Sequence, residues 1–467
     1  MRMITVAIGI LPIVAAEATA RWIAAFGNDN VQNAIDPLPT IDSPIDLFTA
    51  GGDDAGSDDL RTMQTDPRHL NFFYHQTFRR DKPPGTHRIF VVGGSTVAGR
   101  PWATETSMTA WLQLRLQQLT DQTPKFETIN CGGVSYASYR LSRIIDELLR
   151  YDPDTIVLYT GHNEFLERRT YQHAAKTNAI SRWATLLARH SELVRAIKRS
   201  VAPVQNVVIG NQVDTDLDAI DGMDRYVRDD RFATTVHRLF ESTLRSITKR
   251  VTGAGVGLVL CIPASDIVDT PPLKSTPRPG AGRHERHLHD QLHRIDRPLH
   301  QRTLAAEELL QIDPQHAGAN YLVGRQLIDT DVATAAKHLI AAKDFDVCPL
   351  RATTAIQNCV SNIAAEFDVP LVDVPRLFTA NPSDRMDRFN DPKWFVDHVH
   401  PSIAGHQRIA AAIHRAMLRA GWIGSDVDEP AYRRAANQHL LELDDAYFAR
   451  GDQRLRGLQR WARLRGD

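Results

Sequence analysis

The sequence predicts an α/β fold, in which a parallel sheet is flanked by helices and interrupted by an all-helical insertion. Short apolar runs rich in β-branched residues alternate with longer segments of helical periodicity. Such alternation is typical of a parallel sheet with helices on both faces. A largely helical stretch from Gln291 to about Ala342 separates the last two strand candidates. With 467 residues and 42% apolar content, the chain can bury a core large enough for this architecture.

The core elements are predicted in a regular order. The strands are expected at 88–92, 126–130, 155–160, 257–261 and 369–373, and the helices at 106–119, 138–150, around 180–200 and at 231–252. In the insertion, Gly324 is followed twelve residues later by Ala336, a spacing similar to that of one tetratricopeptide-type helical hairpin. We expect this hairpin either to be a structural lid or to contact a substrate or a protein partner.

The remaining segments flank this core. The predicted segments before the insertion are a signal peptide or membrane anchor (1–27), a linker or arm (28–85) and the first part of the core (86–265). They are followed by the helical insertion (266–348), the second part of the core (349–425) and a C-terminal helix (426–467). An apolar stripe that includes Leu440, Leu443 and Tyr447 predicts that the C-terminal helix docks on the core.

The N-terminus predicts export. A positive start, Met1-Arg2-Met3, precedes an apolar run from Ile4 to Ala16, which is typical of a secretory signal. The run continues to about Phe26, which is also the length of a single membrane anchor. Either interpretation places the protein in the periplasm or anchored outside the cytoplasm. Because Glu17 and Arg21 interrupt the run, an amphipathic first helix of a cytosolic protein is the alternative.

The net charge limits the classes of partner that the chain can bind, and the cysteine positions limit the disulfides that it can form. A formal net charge of −1 disfavours a non-specific nucleic-acid binder, which usually carries a basic excess. Cys131 and Cys261 fall at predicted strand ends and are expected to be small buried residues. Cys348 and Cys359 can form a disulfide in an exported protein only if the chain between them is not one continuous helix.

A histidine-rich stretch precedes the helical hairpin. Histidines three or four residues apart can share one helix face and bind a metal, and the stretch contains His284, His287, His289, His293 and His300. The sequence has no HExxH pattern and few acidic residues nearby. A solvated, pH-sensitive loop is therefore favoured over a metal site, and neither a metal nor a cofactor is expected.

The most informative segment is Asp397-His398-Val399-His400-Pro401. A carboxylate three residues before a histidine can bind one imidazole nitrogen and leave the other for a nucleophile. The candidate nucleophile is Ser95, in the glycine-rich turn Gly93-Gly94-Ser95 directly after the strand at 88–92. Open parallel sheets place their ligands at this end of the strands. Taken alone, however, a glycine-serine turn after a strand is common and is equally consistent with a structural turn.

Two further turns offer hydrogen-bond donors. Asn163 follows the strand at 155–160, and its carboxamide is a suitable donor to an oxyanion, although Asn in this place also caps helices. After the strand at 126–130, the turn from Gly132 to Ser135 can direct backbone amides at the same oxygen.

Together these segments resemble the four sequence blocks of the SGNH (GDSL-like) serine hydrolase superfamily, at Ser95, the Gly132 to Ser135 turn, Asn163 and His400. The resemblance covers about residues 86–425 and is similar in order and spacing to the bacterial subgroup that reads GGST in the first block and GHNE in the third. Two departures stand out. Gly94 replaces the usual Asp of the first block, and Ser135 lies at the position where the second block usually has glycine.

The resemblance implies an SGNH-hydrolase-like fold and a serine esterase that cleaves an O-acyl ester, most simply O-acetyl on a carbohydrate. Ser95, His400 and Asp397 are its implied triad, and the amides of Ser95 and of Gly133 or Ser135, with the Asn163 carboxamide, are its implied oxyanion hole. An O-acyltransferase acting on an exported glycan and a non-catalytic module that binds a glycan or a partner are the alternatives. Arg351 is a candidate anion clamp for the substrate, with a surface salt bridge as its alternative.

Overall fold

The structure is a computed structural model. It describes residues 40–41, 45–51, 62–120, 124–167, 208–209, 213, 222–379 and 390–465. The predicted signal or anchor segment and the helix predicted around 180–200 lie outside these residues. Within the described part of the chain, no helix has both the length and the apolar character needed to cross a membrane.

The centre of the fold is a five-stranded parallel sheet, which confirms the predicted α/β class. The strands of the described residues are β1 Thr40–Ile41, β2 Phe48–Ala50, β3 Thr62–Thr65, β4 Thr77–Arg79, β5 Thr86–Gly93, β6 Lys125–Gly132, β7 Thr155–Tyr159, β8 Val208–Ile209, β9 Gly257–Ile262 and β10 Leu371–Asp373. The central sheet has the order β10-β9-β7-β5-β6, with every neighbouring pair parallel. All five of its strands begin and end within three residues of the predicted positions.

Helices occupy the connections between these strands. They are α1 Ser95–Ala98, α2 Met108–Leu116, α3 Ser138–Leu148, α4 Asp230–Gly253, α5 Arg283–Leu292, α6 Leu299–Ile312, α7 Ala317–Leu327, α8 Val332–Asp344, α9 Thr354–Glu366, α10 Val374–Leu377, α11 Ile403–Arg419, α12 Glu429–Glu442 and α13 Asp445–Arg465. The predicted helical insertion corresponds to α5 to α8, which lie between β9 and β10 in the chain.

Two apolar cores lie on opposite faces of the sheet. Along β5, Phe90 and Val92 face the core that contains α3, α4 and α9, whereas Ile89 and Val91 face the core that contains α2 and α11. The alternation follows from the two-residue period of a strand. Because both faces are covered, the strands are apolar throughout, as the sequence of 88–92 predicts.

The segment before the core contributes a small antiparallel sheet of β2, β3 and β4. Phe78 from β4 packs edge-on against Phe90 of β5, with ring centroids 5.5 Å apart. The buried Glu147 carboxylate of α3 accepts hydrogen bonds from the amides of Leu47, at 2.5 Å, and Phe48, at 2.9 Å. The arm is thus fixed to the core by aromatic packing and by a buried carboxylate.

The C-terminal segment forms two helices, so the prediction of one helix is wrong. The chain leaves helical geometry between α12 and α13, where the Asp444 side chain accepts a hydrogen bond from the Tyr447 amide at 2.6 Å and caps α13. Aspartate favours such a cap because its oxygen satisfies an amide that a helix start leaves unpaired. The Tyr447 hydroxyl then bonds Thr106 at 2.8 Å and docks α13 on the core.

All four cysteines are free thiols. Cys131, Cys261 and Cys348 are buried, as expected for small apolar side chains, while Cys359 lies half-buried in α9. Cys348 and Cys359 do not form the disulfide that an exported protein could have carried.

Candidate active site

The carboxyl ends of the central strands are aligned. Gly93, the last residue of β5, pairs in register with Gly132 of β6 and with Tyr159 of β7. The turns that follow these three strands therefore begin at one level, along one edge of the sheet. They carry Ser95, Ser135 and Asn163, the serine and donor candidates of the sequence analysis.

Ser95 is the first residue of α1, a one-turn helix that follows β5. Gly94 caps this helix without a side chain. On the neighbouring strand, a Cβ atom at Gly132 would lie 2.1 Å from the Ala98 amide nitrogen. Glycine at this position therefore lets α1 pack directly on β6, which fixes the turn that presents Ser95.

Asp397 and His400 lie in a tight loop immediately before α11. The Val396 amide donates to the His400 carbonyl at 2.9 Å, which closes the loop. Asp397 Oδ1 accepts hydrogen bonds from the amides of Val399, at 3.0 Å, and His400, at 2.8 Å. One carboxylate oxygen thus fixes the loop, and the other remains available to the imidazole.

The three side chains form a continuous hydrogen-bonded line. His400 Nδ1 lies 2.7 Å from Asp397 Oδ2, and His400 Nε2 lies 2.8 Å from Ser95 Oγ. Because a carboxylate only accepts, Nδ1 carries the proton, so Nε2 presents its lone pair to the serine hydroxyl. This is the arrangement that a general base needs to take a proton from a nucleophile.

The surroundings keep Asp397 ionised. Burial opposes its charge, but the electrostatic interactions with His400 and His398 and the hydrogen bonds from His400 outweigh burial and hold the Asp397 pKa below its ordinary value. Three nearby histidines are instead kept in their neutral form. Burial lowers the pKa to about 3 for His162 and His406 and to about 4 for His398.

Asn163 lies beside the turn that presents Ser95. Its Nδ2 atom donates to the Tyr136 carbonyl at 3.0 Å, and a Cβ atom added to Gly94 would lie 2.8 Å from the same nitrogen. A carboxamide nitrogen carries two hydrogens, so one stays available to an oxyanion while the other holds the side chain in place. Glycine at position 94 therefore leaves the space that Asn163 occupies.

In the turn that follows β6, the backbone amides of Gly133 and Ser135 differ in their hydrogen bonding. The Gly133 amide donates to the Gly93 carbonyl at 2.9 Å, so it is not available to a substrate oxygen. By contrast, neither the Ser135 amide nor the Ser95 amide donates to another residue in the part of the chain that the structure describes. Ser135 has a φ of 63°, a left-handed conformation that is costly for a residue with a side chain.

Arg351, the predicted anion clamp or surface salt bridge, is buried and bonded to other parts of this chain instead of lying at the surface. Its side chain is 3% exposed. It donates to the carbonyls of Asp266 at 3.0 Å, Thr270 at 2.8 Å and Pro271 at 3.3 Å, and lies 3.6 Å from the Asp346 carboxylate. These contacts join the chain entering the helical insertion to the chain leaving it.

The histidines of the histidine-rich stretch contact different partners. His284 bonds Glu308 at 2.8 Å, His287 lies 2.6 Å from the Gln291 amide, and His289 lies 3.0 Å from His316. In the described residues, no group of three or more His, Cys, Asp or Glu side chains is arranged to hold a metal ion.

Two polar residues that support the site were not recognised from the sequence. Asn130, buried in β6, donates to the Val97 carbonyl at 2.7 Å and so holds the end of α1. Glu164, the last residue of the GHNE segment, is fully buried and bonds Ser138. Their signal was a polar side chain within or directly after a buried strand, since such groups need a specific partner.

The fold and the site define the protein as an α/β protein with an aligned serine, histidine and aspartate at the carboxyl edge of a parallel sheet. No protein-family model matches the sequence, and no curated protein matches it either.

Among solved structures, the chain is similar to a lipolytic protein of the G-D-S-L family from Desulfitobacterium hafniense, with 11% identity over 70% of this chain and 98% of the other, and a TM-score of 0.30. It is similar to LAE5, an α/β hydrolase enzyme from the metagenome of Lake Arreo, with 15% identity over 71% and 94% of the two chains and a TM-score of 0.33. The acetylxylan esterase Axe2 from Geobacillus stearothermophilus matches with 15% identity, the same coverage and a TM-score of 0.32. At these identities and TM-scores, the similarities assign no activity to this chain.

Proposed function

We propose that this protein is a serine ester hydrolase in which Ser95 is the nucleophile, His400 the general base and Asp397 the residue that orients His400. The observation that carries the proposal is the hydrogen-bonded line from Asp397 through His400 to Ser95, with distances of 2.7 and 2.8 Å. Three residues from two distant parts of the chain meet in the order that nucleophilic catalysis requires.

The proposed reaction is a two-step acyl transfer. Ser95 Oγ attacks the ester carbonyl carbon while its proton passes to His400 Nε2, and the C–O bond to the alcohol then breaks as His400 returns the proton to the alcohol oxygen. Water attacks the acyl-serine in the same way and releases a carboxylic acid. Asp397 remains ionised and stabilises the imidazolium form of His400.

Oxyanion stabilisation is assigned to three donors: the Ser95 amide, the Ser135 amide and the second hydrogen of Asn163 Nδ2. Fixed donors of this kind stabilise the charge that develops on the carbonyl oxygen, and loss of one typically costs about 100- to 1,000-fold in rate. Because these donors contact the transition state more strongly than the ester, their loss is expected in kcat rather than in KM.

The proposed substrate is an O-acyl ester of a carbohydrate, most simply an O-acetyl group. This assignment rests on the resemblance of the four sequence blocks to the superfamily. Export of the protein, proposed from the apolar N-terminal run, would bring the site into contact with such glycans.

The test is release of 4-nitrophenol from its acetyl ester by purified full-length protein. We expect Ser95→Ala and Asp397→Asn each to lower kcat by at least about 10,000-fold, because the first removes the nucleophile and the second gives His400 the wrong tautomer. Ser246→Ala, in α4, is the matched control and should retain wild-type turnover.

A wild-type rate in Ser95→Ala, or no turnover by the wild-type protein, would overturn the proposal. If alcohol release by the wild-type protein requires an added carbohydrate acceptor, the enzyme is an O-acyltransferase that uses the same nucleophile.

A further inference from the structure

Glu164 is a buried carboxylate directly beside the oxyanion donor Asn163. It is 0% exposed. Its Oε1 atom accepts a hydrogen bond from the Ser138 amide at 2.8 Å, and its Oε2 atom accepts one from the Ser138 hydroxyl at 2.8 Å. The proposed reaction leaves this residue without a role, although its burial requires specific partners.

The partner of Glu164 is the start of α3. The residue at the N-terminal cap of this helix, Ala137, offers no side-chain hydrogen bond. The first turn of a helix leaves amides unpaired and carries a partial positive charge, so a carboxylate there is stabilising. Glu164 therefore caps α3 from the block that contains Asn163.

Further contacts join the same two segments. Asn163 donates to the Tyr136 carbonyl at 3.0 Å. In the first turn of α3, Arg140 forms a buried ion pair with Glu167, with Nε–Oε2 and Nη2–Oε1 distances of 2.7 and 2.5 Å. The turn of the second block and the segment that follows β7 are thus linked at Tyr136, Ser138 and Arg140.

The turn from Gly132 to Ser135, which precedes these contacts, contains Ser135 in its left-handed conformation. Such a conformation persists only where the surroundings impose it. On one side of Ser135, the Val134 amide donates to the Phe72 carbonyl at 2.9 Å. On the other side, the chain is held at Ser138 by Glu164. Release of Ser138 would let the turn relax and move the Ser135 amide away from the substrate.

We propose that Glu164 is a positioning residue of the oxyanion hole, which caps α3 and thereby holds the Ser135 amide and the Asn163 carboxamide at one point. The proposal rests on the ester hydrolase function proposed above. Glu164 takes no proton in the reaction, so its geometry matters and its charge matters less.

The chain offers a matched control in Glu147. This residue is also a buried carboxylate associated with α3, and it also accepts hydrogen bonds from two groups of a neighbouring segment, the amides of Leu47 and Phe48. The four proteins to compare are the wild type, Glu164→Ala, Glu164→Gln and Glu147→Ala, all as the full chain.

Hydrolysis of 4-nitrophenyl acetate gives the first readout. We expect Glu164→Ala to lower kcat by about 10- to 100-fold with KM unchanged, because a misplacement of about 1 Å costs up to about 100-fold. Glu164→Gln should stay within about threefold of the wild type, because its amide oxygen can still accept from the Ser138 amide. Glu147→Ala should lose thermal stability but keep the wild-type kcat.

Amide deuterium exchange gives the second readout, which does not need turnover. Peptides that cover 133–138 should exchange faster in Glu164→Ala and remain as in the wild type in Glu147→Ala. Unchanged exchange in Glu164→Ala overturns the positioning role, whether or not the protein hydrolyses esters. Equal kcat in the two alanine variants also overturns it, and a kcat in Glu164→Gln as low as in Glu164→Ala would show that the charge itself is needed. An inactive wild type with faster exchange in Glu164→Ala would overturn the hydrolase proposal but would support the role of Glu164 in capping α3 and holding the turn.

Discussion

Replacement of Gly94 by alanine tests the proposed oxyanion hole at its tightest contact. The added Cβ atom would lie 2.8 Å from Asn163 Nδ2 and 3.6 Å from the Tyr136 carbonyl oxygen. Gly94 has a φ of −85°, which alanine adopts without strain. The substitution therefore changes the space beside Ser95 and leaves the backbone preference of the turn intact.

The size of the effect follows from this distance. A carbon and a nitrogen that are not bonded pack at about 3.5 Å, so the Asn163 carboxamide must move by roughly 0.7 Å. Because a misplacement of about 1 Å costs up to about 100-fold and complete loss of a donor costs about 100- to 1,000-fold, we expect kcat to fall by about 10- to 100-fold. The KM should change little, since the donor acts on the transition state.

A double-mutant cycle with Asn163→Ala separates this mechanism from a general disturbance of the turn. In the Asn163→Ala background the Gly94→Ala substitution has no carboxamide to displace, so it should lower kcat by less than about twofold. Turnover of 4-nitrophenyl acetate and the melting temperature of all four proteins provide the measurement. Additive losses in the cycle, or a wild-type kcat in Gly94→Ala, would refute the placement of Asn163 against Gly94.

Two further predictions concern stability. His406 is 0% exposed and neither ring nitrogen has a hydrogen-bond partner among the described residues, and burial lowers its pKa to about 3. The unfolded chain takes up a proton at His406 near pH 6.5, whereas the folded chain does not. The contribution of neutral His406 to the free energy of unfolding is therefore complete above that pH and is lost as the pH falls. The loss amounts to about 2 kcal/mol at pH 5. Urea unfolding at pH 7.5 and pH 5 should thus show about 2 kcal/mol less acid destabilisation in His406→Leu, and an unchanged pH dependence would contradict the neutral state of His406. For Arg351→Met, which leaves the Asp346 carboxylate buried without its cation, we expect a loss of about 3–5 kcal/mol, part of which Asp346→Asn should restore. A raised KM with unchanged stability would instead return Arg351 to the role of substrate clamp.

The parts of the site that depend on local geometry could be predicted from the sequence. Asp397 and His400 are three residues apart in one loop, and Ser95 and Asn163 each follow a strand that its apolar pattern identifies. The parallel sheet then brings these turns to one edge, which the alternation of strands and helices also predicts. The line of hydrogen bonds between Ser95 and His400 required the structure, since 305 positions separate the two residues.

The roles that could not be predicted depend on partners far away in the sequence. Arg351 looked available for a substrate because nothing near it in sequence identified the carbonyls of Asp266, Thr270 and Pro271 as its partners. The choice between the Gly133 and Ser135 amides as the proposed oxyanion donor depended on the Gly93 carbonyl. In the register of β5 and β6, this carbonyl accepts the hydrogen bond of the Gly133 amide. The break between α12 and α13 depended on the cap that Asp444 forms, which competes with helix continuation by only a small free energy.

Three other histidines lie near His400, and their protonation states affect its proposed role as the base. The proposed mechanism places a positive charge on His400, and a second positive charge on His162, His398 or His406 would oppose it. Burial keeps all three neutral, with pKa values of about 3 to 4. His400 differs from them in its contacts, because its Nδ1 atom faces the ionised Asp397 and its Nε2 atom faces Ser95. The surrounding imidazoles thus add neither charge nor competing base strength, and the negative charge of Asp397 acts on His400 with little opposition.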